Sequence, residues 1–439
     1  MSKRKERGIC ELYADDPERA DALVFGRVTD SNRRGFLRGA GLAAMGSVVG
    51  ATIPFHANMP SGLIPAALAE SIEDFEIQGK SDDLIVHNDR PINAETPAHL
   101  LDDDVTPNEL FFVRNNGAVT QQAWDQQMND WRLTIDGEVE ESLELTMEEL
   151  QNDFEQVTLR LQLECGGNGR AGFNPSPRGN QWTVGAIGNA EWTGVRVADI
   201  LQRAGLKQTA VYSGHYGFDE HLSGDPEREA LSRGAPINKM MDPHTIVAFK
   251  MNGEDIPAVN GFPARLVVPG WAGSCSQKWL TRIWVRDRQH DGAGMTGLSY
   301  RVPRYPVAPG DEVPDEDMMV MEGMPVKSII TNPRSDAETT PGRAFEVRGQ
   351  AWAGDDEVRA VHVSYDYGAT WREARLDPPP NRLSWQRWRI DLALPTQGYY
   401  EIWARATDDK GRSQPMRVPG WNPRGYWNNS AHRIAVRAV

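Results

Sequence analysis

A single thiol at position 165 closes an alternating apolar run and opens a glycine turn: Leu161-Gln162-Leu163-Glu164-Cys165-Gly166-Gly167-Asn168-Gly169-Arg170. A thiolate presented on such a turn can ligate a soft metal. The Gly pair lets backbone approach a bulky cofactor. The same pattern also fits a buried Cys that merely precedes a turn, or one bridged to Cys275. Cations recur at turn positions elsewhere. Phe111-Phe112-Val113-Arg114-Asn115 places an Arg at a strand end, and Asn260-Gly261-Phe262-Pro263-Ala264-Arg265 is followed by Lys278-Trp279-Leu280. Near the C-terminus lies Trp421-Asn422-Pro423-Arg424-Gly425-Tyr426. Guanidinium groups grip tetrahedral oxyanions in forked hydrogen bonds that a lysine cannot reproduce. A thiolate metal site with several arginines therefore suits an anionic substrate oxidised at a metal.

The elements that must position these residues read as short strands with short helices between them. Phe111-Phe112-Val113 and Trp131 to Ile135 read as strands, the second followed by an Asp136-Gly137 turn signal. Thr146-Met147-Glu148-Glu149-Leu150 is a capping-box helix start. Val197 to Ala204 reads as a helix closed by Gly205. Gly185 to Val195 is a Gly-rich run just before it, and Ala264 to Pro269 an apolar strand ending in a Pro-Gly turn. Without regular βαβ spacing, the fold class is α+β. Residues 70–107 look like a polar, irregular N-terminal arm, and 302–323 a linker rich in Pro, Gly and acids. Beyond it, Val326 to Ile330, Ala344 to Arg348, Val358 to Ser364, Arg387 to Leu392 and Tyr399 to Ala406 alternate like an antiparallel sandwich of about 100 residues, with a hairpin tip at Asp366 to Trp371.

Residues 1–69 read as an export leader. Arg33-Arg34 sits in a twin-arginine pattern, a weakly apolar stretch runs from Gly39 to Phe55, and Ala67-Leu68-Ala69 is a small-x-small cleavage signal. That stretch is too short and Gly-rich to span a membrane stably. The twin-arginine route carries folded proteins, which suits a chain loaded with cofactor before export to the periplasm. About 30 polar residues precede the arginine pair, which leaves a downstream true start as an open reading. The remaining length calls for two domains. A formal net charge of −15 argues against a nucleic-acid partner. Three cysteines do not make a disulfide scaffold. The sequence lacks the Cys-x-x-Cys-His of a covalently attached haem, a phosphate-binding Gly-x-x-x-x-Gly-Lys loop and His-Glu-x-x-His.

With these segments assembled, the chain resembles the sulfite oxidase family of molybdenum enzymes over nearly all of its length after the leader. The resemblance implies a molybdopterin-binding catalytic domain over residues 108–322 and an all-β, immunoglobulin-like dimerisation domain over 323–439. In that family the Cys of Cys-x-Gly-Asn ligates molybdenum, which matches Cys165. By the same resemblance Arg114, Arg170, Trp182, Tyr300 and Arg424 line or reach the substrate site, with Tyr305 an alternative to Tyr300. Asn115, Arg265 and Lys278 would contact the pterin. Asn116 and Asn260 stand where many members have His, and Ser274-Cys275-Ser276-Gln277 where basic or small residues are usual. These departures bear on cofactor contacts more than on the metal ligand.

The activity implied is oxidation of sulfite to sulfate by oxo transfer at molybdenum. Electrons would pass to an external carrier such as a c-type cytochrome, and the chain would form a homodimer. Two other readings stay open at this point. One is a related molybdenum enzyme acting on sulfane sulfur or reducing S- or N-oxides. The other is a non-enzymatic exported module with a Cys165–Cys275 disulfide.

Overall fold

The computed structural model describes residues 75–127 and 130–439. The leader expected over 1–69 lies outside the described residues. Two sheets frame the first part of the molecule. In one, Gln156–Glu164, Ile187–Arg196, Ile246–Met251 and Glu254–Asp255 run antiparallel in that order, and Arg265–Val267 also pairs with Ile246–Met251. In the other, the order is Leu143–Thr146, Arg132–Gly137, Leu280–Arg286, Tyr212–Gly217 and Gly234–Pro236. Only the Arg132–Gly137 and Leu280–Arg286 pairing in these two sheets is parallel. Strands of both sheets supply one core, with Leu133, Ile135, Ile283 and Val285 from the second and Val195, Val247 and Leu266 from the first.

The helix Val197–Ala204 forms over the expected residues, and Val197, Ile200, Leu201 and Ala204 bury one face in that core. Thr146 and Glu149 form a reciprocal capping box on the helix Met147–Asn152. Such a cap contributes about 1 kcal/mol. The Gly-rich run before Val197 lies largely in a ten-residue central strand, Ile187–Arg196. Gly188 is required there because a Cβ would lie 2.5 Å from the Phe111 ring. The expected turn at Asp136-Gly137 is still strand: Arg132–Gly137 runs through both residues.

The expectation of an irregular N-terminal arm is overturned. Residues 75–107 are not an irregular arm. Ile85–Asp89, Ile92–Glu95 and Val113–Arg114 form a three-stranded antiparallel sheet, with Ile77, Leu84, Ala94 and Val113 buried beneath it. Asn93 and Glu95 are buried while Ile85 is exposed, which masks the alternation. The acidic Pro-rich stretch expected as a linker also contains structure, since Arg301–Pro303 pairs with Met318–Val320.

The last part of the chain is a two-sheet β-sandwich. Lys327–Asn332, Phe345–Trp352, Gln386–Leu392 and Arg375–Leu376 form one sheet. Ala337–Thr339, His432–Ala438, Gly398–Asp408, Val358–Ser364 and Arg372–Glu373 form the other. Val347, Val361, Trp388, Ile402, Ala404 and Val436 fill the space between them. Asp366 to Trp371 is the tip of the hairpin joining Val358–Ser364 to Arg372–Glu373.

Candidate active site

Cys165 follows the strand Gln156–Glu164 and is nearly buried. Its backbone N–H donates to the Ala186 carbonyl at 2.9 Å, and its own carbonyl accepts from Asn168 N–H at 2.9 Å, which closes the turn. Gly169 takes φ +93°, and a Cβ on Gly167 would lie 2.3 Å from the Arg170 guanidinium. Glycine is thus needed so that Arg170 can fold back across its own loop. Glu164, fully buried, anchors the base of the turn. It accepts from Lys327 Nζ at 2.6 Å, Trp352 Nε1 at 2.8 Å and Asn168 Nδ2 at 3.1 Å. Two of those three donors belong to the sandwich.

Cys165 and Cys275 are both free and buried. The disulfide alternative is therefore overturned. Cys275 instead accepts a 3.4 Å hydrogen bond from Arg233 Nη2.

A cleft opens over the Cys165 thiol, lined by Arg114, Asn116, Asp219, Asn260, Arg265, Ser274, Gln277, Lys278 and Tyr300, among others. Arg114 is held on the short strand Val113–Arg114, which pairs with Ile92–Glu95. Its guanidinium donates to Asn116 Oδ1 at 2.7 Å, to Tyr300 Oη at 3.4 Å and to the Asn115 carbonyl. Burial opposes its charge, but the Tyr300 phenol and the Cys165 thiol beside it outweigh that and hold its pKa above the ordinary value. Tyr300 also donates to Asn116 Oδ1 at 3.1 Å. Tyr305, its alternative, is half exposed and donates to Asp317 at 2.6 Å, away from the cleft.

Arg265, buried, and Lys278, half-buried, line the same cleft. Arg265 donates to the Asn260 carbonyl at 2.8 Å and the Ser276 carbonyl at 3.1 Å, and stacks on Trp192. Lys278 donates to the Val259 carbonyl at 2.7 Å and to Asn115 Oδ1. Burial pushes the Arg265 pKa down to about 9. Burial, then the charge of Arg265, carries Lys278 well below its ordinary range. Burial likewise lowers Arg170, with Arg114 adding to the effect.

Arg170 donates to the Arg424 carbonyl at 2.6 Å and to the Asn180 carbonyl at 2.8 Å. Here the structure departs from expectation. The sandwich reaches the site through the backbone of Arg424 and the ring of Tyr426, while the Arg424 side chain is half-buried and does not line the cleft. Trp182 is fully buried in the apolar cluster that contains Cys165, edge-on to His87 at 4.6 Å, and lies behind the cleft wall rather than on it.

Several residues at the site escaped the sequence reading. Tyr426 stacks on Tyr300 (5.7 Å, 13°) and carries the Arg170 guanidinium over its ring at 5.3 Å. It stands two positions beyond Arg424 in a segment already singled out, so position alone could have suggested it. Asn93 accepts from the Asn115 N–H at 2.9 Å and so holds the backbone that carries Arg114. Asp219 lines the cleft, and burial raises its carboxyl to about 6 despite Lys278 nearby. Nothing in its local sequence marks it.

Among the described residues, Arg114, Arg170, Arg233, Arg265 and Lys278 have no carboxylate oxygen within 4.0 Å of their side-chain nitrogens. Buried cations are ordinarily paired. Asn115 Nδ2, Asn260 Oδ1, Arg265 Nε, Ser274 Oγ and Gln277 Oε1 are buried without any hydrogen-bond partner. A cavity edged by orphaned donors and acceptors, with uncompensated positive charge and a free thiol, fits an anionic, polar, sulfur-bound cofactor.

Comparison with known proteins gives the same picture. Residues 117–293 match a family described as "Oxidoreductase molybdopterin binding domain", and residues 318–439 match a "Mo-co oxidoreductase dimerisation domain". Sulfite oxidase of Gallus gallus is 34% identical over 368 residues, covering 80% of this chain and 77% of that protein. Mitochondrial sulfite oxidase of Homo sapiens is 34% identical over 370 residues, and this chain spans 65% of its length. The crystal structure of the sulfane dehydrogenase SoxCD from Paracoccus pantotrophus superposes with a TM-score of 0.66 at 25% identity, covering 89% of this chain and 96% of that one. The chain belongs to the sulfite oxidase family of molybdopterin oxidoreductases.

Proposed function

We propose that this protein oxidises sulfite to sulfate at molybdenum ligated by Cys165, releasing electrons to an external one-electron carrier. The observation that carries the reading is the group of buried and half-buried, carboxylate-free cations around a free thiol. Cys165 would ligate the metal. Arg265, Lys278, Asn260, Ser274 and Gln277 would hold the pterin and its phosphate through the cations and orphaned atoms that face the cleft, with Asn115 holding Lys278 from behind. When bound, the molybdenum cofactor supplies two-electron oxidation with transfer of one oxygen to sulfur.

The chain's own residues do the rest. Arg114, on the cleft wall, binds the dianion, and Arg170, buried behind that wall, adds positive charge that offsets the anion's as it redistributes. Asn116 and Tyr300 orient Arg114 through a shared acceptor. Trp182 and its apolar neighbours exclude water from behind the thiol. The net reaction is SO₃²⁻ + H₂O → SO₄²⁻ + 2H⁺ + 2e⁻, so a carrier must accept two electrons in single steps. A c-type cytochrome fits that role. Residues 318–439 would form the homodimer contact, and the twin-arginine leader would deliver the loaded protein to the periplasm.

A sulfane substrate is the second reading, favoured by the match along 96% of the sulfane dehydrogenase chain. The deciding experiment uses protein from a host that makes the pterin. Molybdenum content near one per chain and sulfite-dependent reduction of cytochrome c are expected, both lost in Cys165→Ser. Turnover of a sulfane-bearing substrate in preference to sulfite would establish the second reading, and metal-free protein would overturn both.

A further inference from the structure

Arg233 lies on no motif, yet it is fully buried and has no carboxylate within 4.0 Å among the described residues. Its Nη1 donates to the Gly294 carbonyl at 2.9 Å, and its Nη2 to the Met321 carbonyl at 3.1 Å and to Cys275 Sγ at 3.4 Å. Its Nε has no partner. The guanidinium carbon stands 5.0 Å from the centroid of the Tyr300 ring. A buried Arg that serves only the fold is ordinarily paired with an acid, as Arg286 is with Asp291 at 2.5 Å. Arg233 has an aromatic face and backbone carbonyls instead.

Tyr300 needs such support. It sits at φ +52°, in the left-handed region that bulky residues avoid. Its N–H donates to Tyr426 Oη at 3.2 Å, and the two rings stack at 13°. Arg170 in turn lies over Tyr426. The groups therefore run in contact from Arg233 to Tyr300, Tyr426 and Arg170, two cations at the ends and two rings between. Cation–π contacts are strongest when desolvated, as these are. The phenol at the centre of this series contacts Arg114 and Asn116 in the cleft.

We propose that Arg233 is a positioning residue for anion oxidation: together with Tyr426 it fixes the strained Tyr300 so that its phenol meets Arg114 at the substrate. The proposal rests on the sulfite reading. Arg233 does not line the cleft, so it acts through Tyr300 rather than on the anion.

The test uses the molybdenum-loaded enzyme with Arg233→Met, Arg233→Lys, Tyr300→Leu and the Arg233→Met/Tyr300→Leu double variant. Two quantities are measured: steady-state kinetics, and sulfate binding to the oxidised enzyme by calorimetry. In Arg233→Met, with molybdenum content unchanged, the sulfite KM and sulfate Kd are expected to rise about tenfold while kcat changes less than about threefold. Arg233→Lys, which keeps the charge but not the flat cation, is expected to recover only part. On the Tyr300→Leu background, Arg233→Met should add less than about twofold, since the ring it holds is gone. Changes under twofold in Arg233→Met overturn the proposal, as does an equal effect with and without Tyr300. Should Arg233→Met fail to fold, Arg233→Lys decides: an unchanged KM and Kd would overturn it. Arg114→Met is the control. If it weakens sulfate while Arg233→Met does not, positioning fails and the sulfite reading stands. A wild type that neither oxidises sulfite nor binds sulfate removes the reading itself.

Discussion

At the scale of single residues, the site is a problem of uncompensated charge. Arg114, Arg170, Arg265 and Lys278 are held in place by carbonyl and amide oxygens, which orient a cation without neutralising it. Cofactor-free protein should therefore bear the cost of burying like charges near one another, and an anion should relieve it. Cys165→Ser is expected to abolish sulfite oxidation while the urea midpoint of the cofactor-free protein moves little, because the change is nearly isosteric. Activity retained in that variant would remove the ligand assignment. Cys165 and the cations beside it were legible because their types and spacing carry chemistry. Tyr426, Arg233 and Asp219 were not, because each acts through contacts between segments distant in sequence, where no local pattern forms. Arg424 shows the converse: a conspicuous side chain whose backbone oxygen makes the contact.

At the scale of elements, the turn after Gln156–Glu164 is shaped so that Arg170 can reach back over it. Gly167→Ala would place a methyl group against that guanidinium, 2.3 Å from the nearest nitrogen. Arg170 must move, while the strand and its pairing need not. The sulfite KM should rise about tenfold with kcat less affected, and Arg424→Ala should raise it less. Equal effects would return the Arg424 side chain to the site. A second element-level outcome concerns His215, buried on the strand Tyr212–Gly217 with Nε2 2.8 Å from Ser213 Oγ. Burial, with the nearby His290 adding, lowers its pKa from 6.5 to about 3. The folded state thus binds fewer protons than the unfolded chain between those values. Stability from this group is complete above pH 6.5 and is lost as pH falls toward 3. Replacing His215 by Gln should flatten the slope of the urea midpoint between pH 6.5 and 4; an unchanged slope would mean the imidazole is not held neutral. The helices at Thr146 and Val197 could be read from caps and periodicity. The sheet over residues 85–114 could not, since its strands are short, polar on one face and paired across a gap in sequence.

At the scale of the whole molecule, the sandwich and the catalytic sheets meet directly behind Cys165. Lys327 begins the sandwich, and its ammonium reaches Glu164 at 2.6 Å and the Asn168 carbonyl at 3.1 Å, on either side of Cys165. Trp352 donates to the other Glu164 oxygen at 2.8 Å. All three side chains are buried. The N-terminal segment closes the same seam: Asp102 accepts from Arg348 Nη2 at 2.6 Å and from Thr331 at 2.6 Å. These two pairs differ in what they can contribute. Asp102 and Arg348 are a quarter to a third exposed, so water screens them, and their loss should cost about 1 kcal/mol or less. Removing Lys327 leaves the Glu164 carboxylate buried with only neutral donors, a change that typically costs about 3–5 kcal/mol. Lys327→Met should therefore lower the unfolding free energy by that order and also lower molybdenum retention, because Glu164 shares its backbone with the ligand. Lys327→Met combined with Glu164→Gln should recover most of the stability, since no unpaired charge remains. Retention and stability falling together, and returning together in the double variant, would tie the sandwich to the Cys165 turn. A double variant no more stable than Lys327→Met alone would show that the ion pair is not what joins the two halves.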